Sequence, residues 1–378
     1  MLTLPNLGLY IHIPWCLKKC SYCDFNSYAL EKEIPVYDYI NHLFNDLHLD
    51  LPLISGRKIH TIFIGGGTPS LLNSKSIQLL LHGIRTRLEL SNTAEITIEV
   101  NPSILEIDRC NGYKNAGINR ISIGVQSFQK SSLQNIGRTY TSHEVRRAVK
   151  IVSSLGLRSF NIDLMHGLPN QSLADALNDL RLAISFNPPH LSWYQLMIEP
   201  HTLFFTRPPQ LPHEDHLWAI FEQGHKLLCA AGYQQYEISS YSKSHFYCEH
   251  NLNYWRFGDY LGIGCGAHGK LTQPDGTIIR TSKTLHPRKF MSGNYLSKRY
   301  AINNSAKPIE FFMNRFRLLE MTPRSEYKLC TGLSEDSIRS PINRAIEEGY
   351  ITETSTSWMV TQKGTLFLNS LLELFLTD

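Results

Sequence analysis

The sequence has 378 residues, of which 42% are hydrophobic and 19% are charged, an ordinary composition for a globular protein with one large and one smaller domain. Its net charge of +4 is too weak by itself to indicate a nucleic acid or an anionic membrane as partner. The N-terminal segment lacks the pattern of a signal peptide, and no apolar run approaches the roughly 18 residues of a transmembrane segment. We therefore expect a cytoplasmic protein, in which clustered cysteines indicate metal or redox chemistry rather than disulfides.

Short apolar runs rich in β-forming residues alternate with helix-like segments as far as about residue 205. The six runs cover residues 9–13, 60–64, 95–100, 120–125, 159–165 and 191–198. Segments such as SIQLLLHGIRTRL and SHEVRRAVKIVSSLG carry apolar residues at helical spacing, and Ser172 is predicted to cap the helix LADALNDLRLAI. The alternation predicts βαβ units and a parallel sheet, as an open or partial barrel or as a doubly wound sheet.

Polar residues stand at the ends of these runs. In chain order they are the cysteine cluster, the turn GGGTP, Glu99, Gln126, Asp163 and Gln195. Because parallel strands end at the same edge of a sheet, we expect these groups to converge on one site.

The remainder of the chain is more varied. Residues 204–216 contain three prolines and are predicted to form a linker, residues 233–269 are rich in aromatic residues, and residues 270–308 are predicted to be loop-rich. From residue 309, two helices and a hairpin are typical of a small winged-helix-like module. Because its second helix carries balanced charge, we expect no nucleic-acid partner. We predict the divisions 1–210, 211–308 and 309–378.

The cysteine cluster CLKKCSYC places Cys16, Cys20 and Cys23 within eight positions. A structural zinc site normally has four protein ligands, and the usual second pair of cysteines is missing. An iron–sulfur cubane held by three cysteines retains one iron without a protein ligand, which leaves that iron open to another molecule. We predict buried or inert thiols for the scattered Cys110, Cys229, Cys248, Cys265 and Cys330.

The C-x3-C-x2-C spacing after the first strand, followed by GGGTPS, resembles the radical S-adenosylmethionine (SAM) superfamily. LYIHIPWCLKKCSYCDFNS, IFIGGGTPSLL and RISIGVQSF resemble its oxygen-independent coproporphyrinogen III oxidase branch. HNLNYW, GIGCGAHG and NRFRLLE are similar to the related haem chaperones called HemW. The resemblance extends over essentially the whole chain. It implies a partial (β/α)6 barrel with a smaller C-terminal region, a [4Fe–4S] cluster on the three cysteines, and SAM on the remaining iron.

The turn GGGTP can be interpreted as a structural turn or as a cofactor contact, and both roles require the same backbone geometry. Thr68 is predicted to cap a helix that begins at Pro69, while the glycines allow close backbone approach. Exposed backbone groups beside a helix start also hold polar ligands, which favours a cofactor contact. The resemblance implies SAM contacts at Tyr10, Tyr22, Gly66, Gly67, Thr68, Glu99, Gln126, Arg138 and Asp163. We expect Tyr22 to offer mainly its backbone to the adenine.

Two functions remain open. The oxidase branch carries a further cysteine two positions after the third ligand, where this chain has Phe25. That difference favours a haem chaperone without coproporphyrinogen oxidase activity over an enzyme acting on a porphyrinogen. The resemblance implies haem contacts at His250, Asn251, Tyr254 and Trp255, although packing of a lid by the same aromatic residues is the simpler interpretation of the residues alone. Cys248, His245 and His268 are alternative iron ligands.

The chaperone interpretation implies haem as cargo, a haem-accepting protein, and an electron donor if the cluster is reduced. It allows a homodimer.

Overall fold

The structure, a computed structural model, describes residues 4–31 and 33–376. Within these residues, twelve strands form one sheet in the order β14-β13-β12-β11-β1-β4-β5-β6-β7-β8-β10-β9. Its six predicted parallel strands are β1 (Leu7–Ile13), β4 (Ile59–Gly66), β5 (Leu90–Val100), β6 (Arg120–Gln126), β7 (Ser159–His166) and β8 (His190–Gln195). These strands are apolar and buried along most of their length, as expected for a parallel sheet covered by helices.

Helices follow each parallel strand, which confirms the predicted partial (β/α)6 barrel. They are α1 (Val36–Ile54), α2 (Ser74–Arg85), α3 (Ile107–Ala116), α4 (Lys130–Asn135), α5 (Ser142–Ser154), α6 (Leu173–Ser185), α7 (Leu203–Thr206) and α8 (Glu214–Ala230). Ser172 caps α6 as predicted, because its side chain accepts a hydrogen bond from Asp175 N. The strands and these helices enclose the larger core.

The glycine turn differs from its prediction in one respect. Pro69 begins a short 3-10 turn, Pro69–Leu71, with Thr68 at the capping position, but the Thr68 side chain makes no capping hydrogen bond. The α-helix itself begins at Ser74, and the side chain of Asn73 caps it. The Thr68 hydroxyl is therefore not committed to the helix.

Residues 270–308, which the sequence predicts to be loop-rich, instead extend the sheet. Residues 234–301 supply the strands β9 (Gln234–Glu237), β10 (Ser240–Ser242), β11 (Asp259–Ile263), β12 (His268–Thr272), β13 (Ile278–Lys283) and β14 (Leu296–Ala301), and the helices α9 (Glu249–Trp255) and α10 (Pro287–Met291). β11 pairs in parallel with β1, and β12 to β14 continue antiparallel from it. The prediction of loops was wrong because charged residues of this segment are buried in ion pairs instead of exposed to solvent. Lys283 on β13, for example, contacts Asp46 and Asp50 of α1, each at 2.5 Å.

The C-terminal part of the chain has a core of its own around Trp358, Phe312 and Tyr327. It consists of the helices α11 (Lys307–Arg315), α12 (Arg324–Thr331), α13 (Arg339–Glu347), α14 (Gln362–Leu366) and α15 (Leu368–Glu373) and the strands β15 (Thr322–Pro323), β16 (Ile351–Glu353) and β17 (Ser357–Val360). The hairpin β16–β17 follows helices, as the winged-helix-like pattern predicts. Phe257, Ile278 and Ile302 also belong to this core.

Two further strands, β2 (Trp15–Cys16) and β3 (Tyr28–Ala29), pair with each other around the cysteine loop, and 3-10 turns occur at Pro102–Ile104 and Glu335–Ile338. None of the helices in residues 4–31 and 33–376 has the length and apolar character required to cross a membrane.

Candidate functional site

The cysteine loop leaves the end of β1 at the centre of the sheet. Cys16 lies on β2, which pairs with β3 and brings residues 16 and 29 side by side. A backbone hydrogen bond from Cys23 N to Cys20 O, at 3.2 Å, closes a turn between the other two cysteines. The local fold thus brings three thiols into one loop without any disulfide.

Asn26 attaches this loop to a distant part of the chain. Its Nδ2 donates to the carbonyl oxygens of Cys265 at 3.1 Å and Leu285 at 2.9 Å, and its own carbonyl lies 2.8 Å from His12 Nε2. Cys265 belongs to the GIGCGAHG turn between β11 and β12. That glycine-rich turn therefore supports the cysteine loop.

The donor set consists of three free cysteine thiols, which is the ligand type of iron–sulfur clusters. Within the described residues, no three His, Cys, Asp or Glu side chains are close enough together to hold one ion. A cubane presents iron atoms at separate corners and so needs thiolates that are spread around it. Burial raises the pKa of the Cys16 and Cys20 thiols, so bound iron is needed to hold them as thiolates at neutral pH.

Two cavities share walls at this edge of the sheet. The larger has a volume of about 1220 Å³ and the smaller about 640 Å³. The larger is lined by all three cluster cysteines and by eight of the nine residues expected to contact SAM: Tyr22, Gly66, Gly67, Thr68, Glu99, Gln126, Arg138 and Asp163. The ninth, Tyr10, lines the smaller cavity, where its hydroxyl lies 2.9 Å from His12 Nδ1. Phe25, 57% exposed, lines both cavities.

Gly66 and Gly67 occupy positions that admit no side chain. A Cβ atom on Gly67 would lie 2.6 Å from the carbonyl oxygen of Trp15, and one on Gly66 would lie 2.6 Å from that of Ile13. Gly66 also has a φ of +121°, which favours glycine. The turn thus packs directly against the strand that carries Cys16.

Two carboxyl groups line the larger cavity, and one of them contacts the glycine turn. Glu99 Oε2 accepts a hydrogen bond from Gly66 N at 3.2 Å, and Asp163 accepts from Ser122 Oγ at 2.9 Å and Asn161 Nδ2 at 2.7 Å. Burial, with a further contribution from the charge of Asp163, raises the pKa of Glu99 to about 8. Burial also raises the pKa of Asp163. Both groups can accept hydrogen bonds from hydroxyl and amino groups of a ligand.

Gln126 and Arg138 are held by tyrosines. Gln126 has a φ of +64°, uncommon for a residue other than glycine, and its Oε1 accepts from Tyr194 OH at 2.9 Å. Arg138 Nη2 donates to Tyr22 OH at 2.7 Å, so the Tyr22 side chain is also part of the site. The expected backbone contact of Tyr22 with the adenine stays a prediction. Burial raises the pKa of Tyr22 to about 12, so its hydroxyl keeps a proton to donate.

The four residues expected to contact haem occupy four different environments. Asn251 lines the larger cavity, Tyr254 the smaller and Trp255 both. His250 lines neither cavity: it is fully buried, with Nδ1 2.7 Å from Thr61 Oγ1 and Nε2 2.8 Å from Tyr254 OH. Burial, with a smaller contribution from Arg120, lowers the pKa of His250 to about 3, so it is a neutral group that holds Tyr254 in place.

The sequence interpretation missed several residues of the larger cavity. His166 ends β7 and lines the cavity, and its place one residue beyond an apolar run was the available signal. Arg317 lies 4.3 Å from the centre of the Trp255 ring, and its place within the NRFRLLE segment was the available signal. Met313, Leu366 and Phe367 bring the C-terminal helices to the same cavity.

Comparisons with known proteins agree with this geometry. The family model described as Radical SAM superfamily matches residues 10–183. The chain is 62% identical over 378 residues to the "Heme chaperone HemW" of Escherichia coli strain K12, covering 100% of both chains. It is 56% identical over 382 residues to the protein of the same name from Haemophilus influenzae, again covering 100% of both. The solved structure of coproporphyrinogen III oxidase (HemN) from Escherichia coli matches with a TM-score of 0.84 at 23% identity, over 98% of this chain and 90% of that one, which shows a shared fold.

Proposed function

Because the chain belongs to the HemW family within the radical SAM superfamily, we propose that it is a haem chaperone that binds haem and passes it to an acceptor protein. In this proposal it carries a [4Fe–4S] cluster with exchangeable SAM, acts in the cytoplasm and needs an electron donor only if the cluster is reduced. A haem-requiring protein is the acceptor.

One observation carries the proposal: a single cavity is lined both by the cysteines with their neighbouring carboxyl groups and by several aromatic side chains. Cys16, Glu99 and Asp163 line this cavity, and so do Trp193, Phe221 and Trp255. Its volume of about 1220 Å³ exceeds the roughly 300–1,000 Å³ typical of one small-molecule site. The cavity is therefore large enough for SAM and part of a flat macrocycle together.

The residues present fit the cluster and SAM. Cys16, Cys20 and Cys23 would hold the cluster, whose open iron would bind SAM and supply electron-transfer chemistry to it. Glu99, Asp163 and Gln126 would accept from, or donate to, the polar groups of SAM, and Arg138 with Tyr22 would border its carboxylate. The Gly66–Gly67 backbone would approach the methionine part closely.

The proposed haem contacts lie in two places, the larger cavity and the smaller cavity. Asn251, Trp255 and Arg317 line the larger cavity, where an aromatic ring and a guanidinium suit the ring and the carboxylates of haem. Tyr254 borders the smaller cavity, with Tyr10, Tyr260 and Phe25 around it.

The test is a haemin titration of the purified protein, with the cluster intact and with the cluster removed. We expect a stoichiometric haem spectrum and a change in affinity between the two preparations. Transfer is tested by mixing haem-loaded protein with an apo-form haem protein and following gain of function of the acceptor. Absence of stoichiometric binding from both preparations contradicts the proposal.

The enzyme alternative is tested separately. The reduced, cluster-loaded protein is incubated anaerobically with SAM and coproporphyrinogen III, and the porphyrinogen products are measured. We expect no decarboxylation; efficient formation of protoporphyrinogen would overturn the assignment as a chaperone without that activity.

A further inference from the structure

The imidazole of His166 lies on the wall of the larger cavity. It ends β7, three residues after Asp163, and only 3% of the residue is exposed. Its backbone is fixed, because His166 O accepts from Leu196 N at 2.9 Å. Its ring lies 4.3 Å from the centre of the Trp193 ring, which stacks on Phe221.

His166 differs from the other buried histidines in its hydrogen bonds. His12, His190 and His250 each have both ring nitrogens bonded within the protein. Among the described residues, neither ring nitrogen of His166 has a hydrogen-bond partner, and its Nδ1 is enclosed without one. The enclosed Nδ1 cannot contact a ligand in the cavity, so Nε2, which is not enclosed, is the ring nitrogen that can donate a lone pair to an iron atom there.

The surroundings of His166 suit a metal-centred aromatic ligand. Burial lowers the pKa of His166 to about 4, so the ring is neutral at physiological pH and has a lone pair to donate. Trp193, which contacts the His166 ring, lines the same cavity as Phe221 and Met197, and these side chains offer apolar and polarisable surface to a flat ring. A neutral imidazole is a common axial ligand of haem iron.

We propose that His166 is the axial ligand of the iron of haem bound in the larger cavity, while His250 acts as a positioning residue for Tyr254. The assignment rests on the proposed function and adds to it the residue that holds the iron. Because both nitrogens of His250 are engaged by Thr61 and Tyr254, ligation by that residue would break two buried hydrogen bonds. Ligation by His166 breaks none among the described residues.

The test compares haemin titrations of cluster-loaded wild type, His166→Ala, His250→Ala and His143→Ala. His143 is exposed on α5 and serves as the matched control. We expect the His166→Ala variant to bind haemin at least tenfold more weakly, with a changed Soret maximum and changed iron spin state by resonance Raman. Added imidazole should restore the wild-type spectrum of this variant. His250→Ala should keep the wild-type ligation spectrum, even if its affinity falls.

A second variant, His166→Gln, keeps a polar side chain of similar length, so it is less prone to misfold than His166→Ala. Iron content, sulfide content and thermal denaturation are measured for every variant. Unchanged ligation spectrum and affinity in both His166 variants would overturn the assignment while leaving haem binding intact. Loss of the ligation spectrum only in His250→Ala would overturn it as well. A wild-type protein that bound no haemin would overturn the proposed function itself.

Discussion

At the scale of single residues, Glu99 is the carboxyl group whose environment most disfavours its charge at the site. It accepts one backbone hydrogen bond from Gly66 and lies near the charge of Asp163. Its pKa of about 8 is above the ordinary value of 4.5, so the folded protein binds a proton that the unfolded chain releases. The resulting free-energy penalty is absent below pH 4.5 and grows as pH rises towards 8.

Replacing Glu99 with Gln should therefore weaken the dependence of the free energy of unfolding on pH between pH 4.5 and 9. We expect Glu99→Gln to be more stable than wild type by about 2–4 kcal/mol at pH 9 in the cluster-free protein, with little difference at pH 4.5. Chemical denaturation from pH 4.5 to 9 measures it, with the exposed Glu106→Gln as control. Parallel pH profiles for wild type and Glu99→Gln would contradict the expectation.

Arg317 is the cation of the larger cavity that stacks on Trp255. Arg317 lines that cavity, and its guanidinium has no ion pair among the described residues, so it is available to pair with a carboxylate of haem. We expect Arg317→Met to raise the haemin dissociation constant about tenfold, or about 1.4 kcal/mol, and to leave iron and sulfide content unchanged. Arg147→Met, an exposed arginine on α5, is the control. Equal affinities of the two variants would remove Arg317 from the haem site.

At the scale of elements, the glycine turn and the cysteine strand share one close backbone contact. We expect Gly67→Ala to push β2 away from the turn, because a Cβ would lie 2.6 Å from Trp15 O. That oxygen belongs to the backbone, so a side-chain rotation cannot relieve the clash. The predicted loss is about 1–3 kcal/mol of stability, with less iron retained per chain. Gly232→Ala, where a Cβ meets nothing within 4 Å although φ is +83°, should keep its iron. Full iron content in Gly67→Ala would show that the contact is not needed.

Elements with a strong local pattern could be predicted, and elements defined by distant partners could not. The runs at 9–13 and 159–165 are apolar enough to identify β1 and β7, and Ser172 and its hydrogen bond to Asp175 mark α6. In contrast, β13 carries Arg280 and Lys283, whose partners Glu310, Asp46 and Asp50 are remote in sequence. The sequence around Arg280 and Lys283 therefore gives no indication of these ion pairs.

The same distinction between local patterns and distant partners applies to the residues of the candidate site. Residues at strand ends, such as Glu99, Gln126 and Asp163, converge because the topology of a parallel sheet requires it. Their neighbours on other elements, such as Tyr194 beside Gln126 and Arg317 beside Trp255, depend on packing between segments and were not predicted. The proposed SAM and haem roles of the individual residues stay predictions.

At the scale of the whole molecule, β1 stands in the interior of the sheet between β4 and β11. The proposed division at residue 210 would remove β11 and leave one edge of β1 unpaired, while a chain ending at residue 308 would keep the strands from β1 to β14. We expect a 1–210 fragment to aggregate and to retain little iron after reconstitution. A 1–308 fragment should retain more iron but bind haemin more weakly, because residues 365–370 and 372 line the larger cavity.

Size-exclusion chromatography and iron analysis of both fragments measure this, with the full chain as reference. A soluble 1–210 fragment with full iron content would show that the barrel segment is independent of β11.

The hydrogen bonds from Asn26 to Cys265 and Leu285 also have a consequence for biosynthesis. A ribosome that adds about 5–20 residues per second makes the cysteine loop tens of seconds before the segment that supports it. During most of that interval the three thiols belong to a nascent chain in which β1 lacks β11, one of its two neighbouring strands. Stable cluster insertion should therefore follow translation of residue 285, which makes iron–sulfur delivery to this protein a late event in its synthesis or one that follows it.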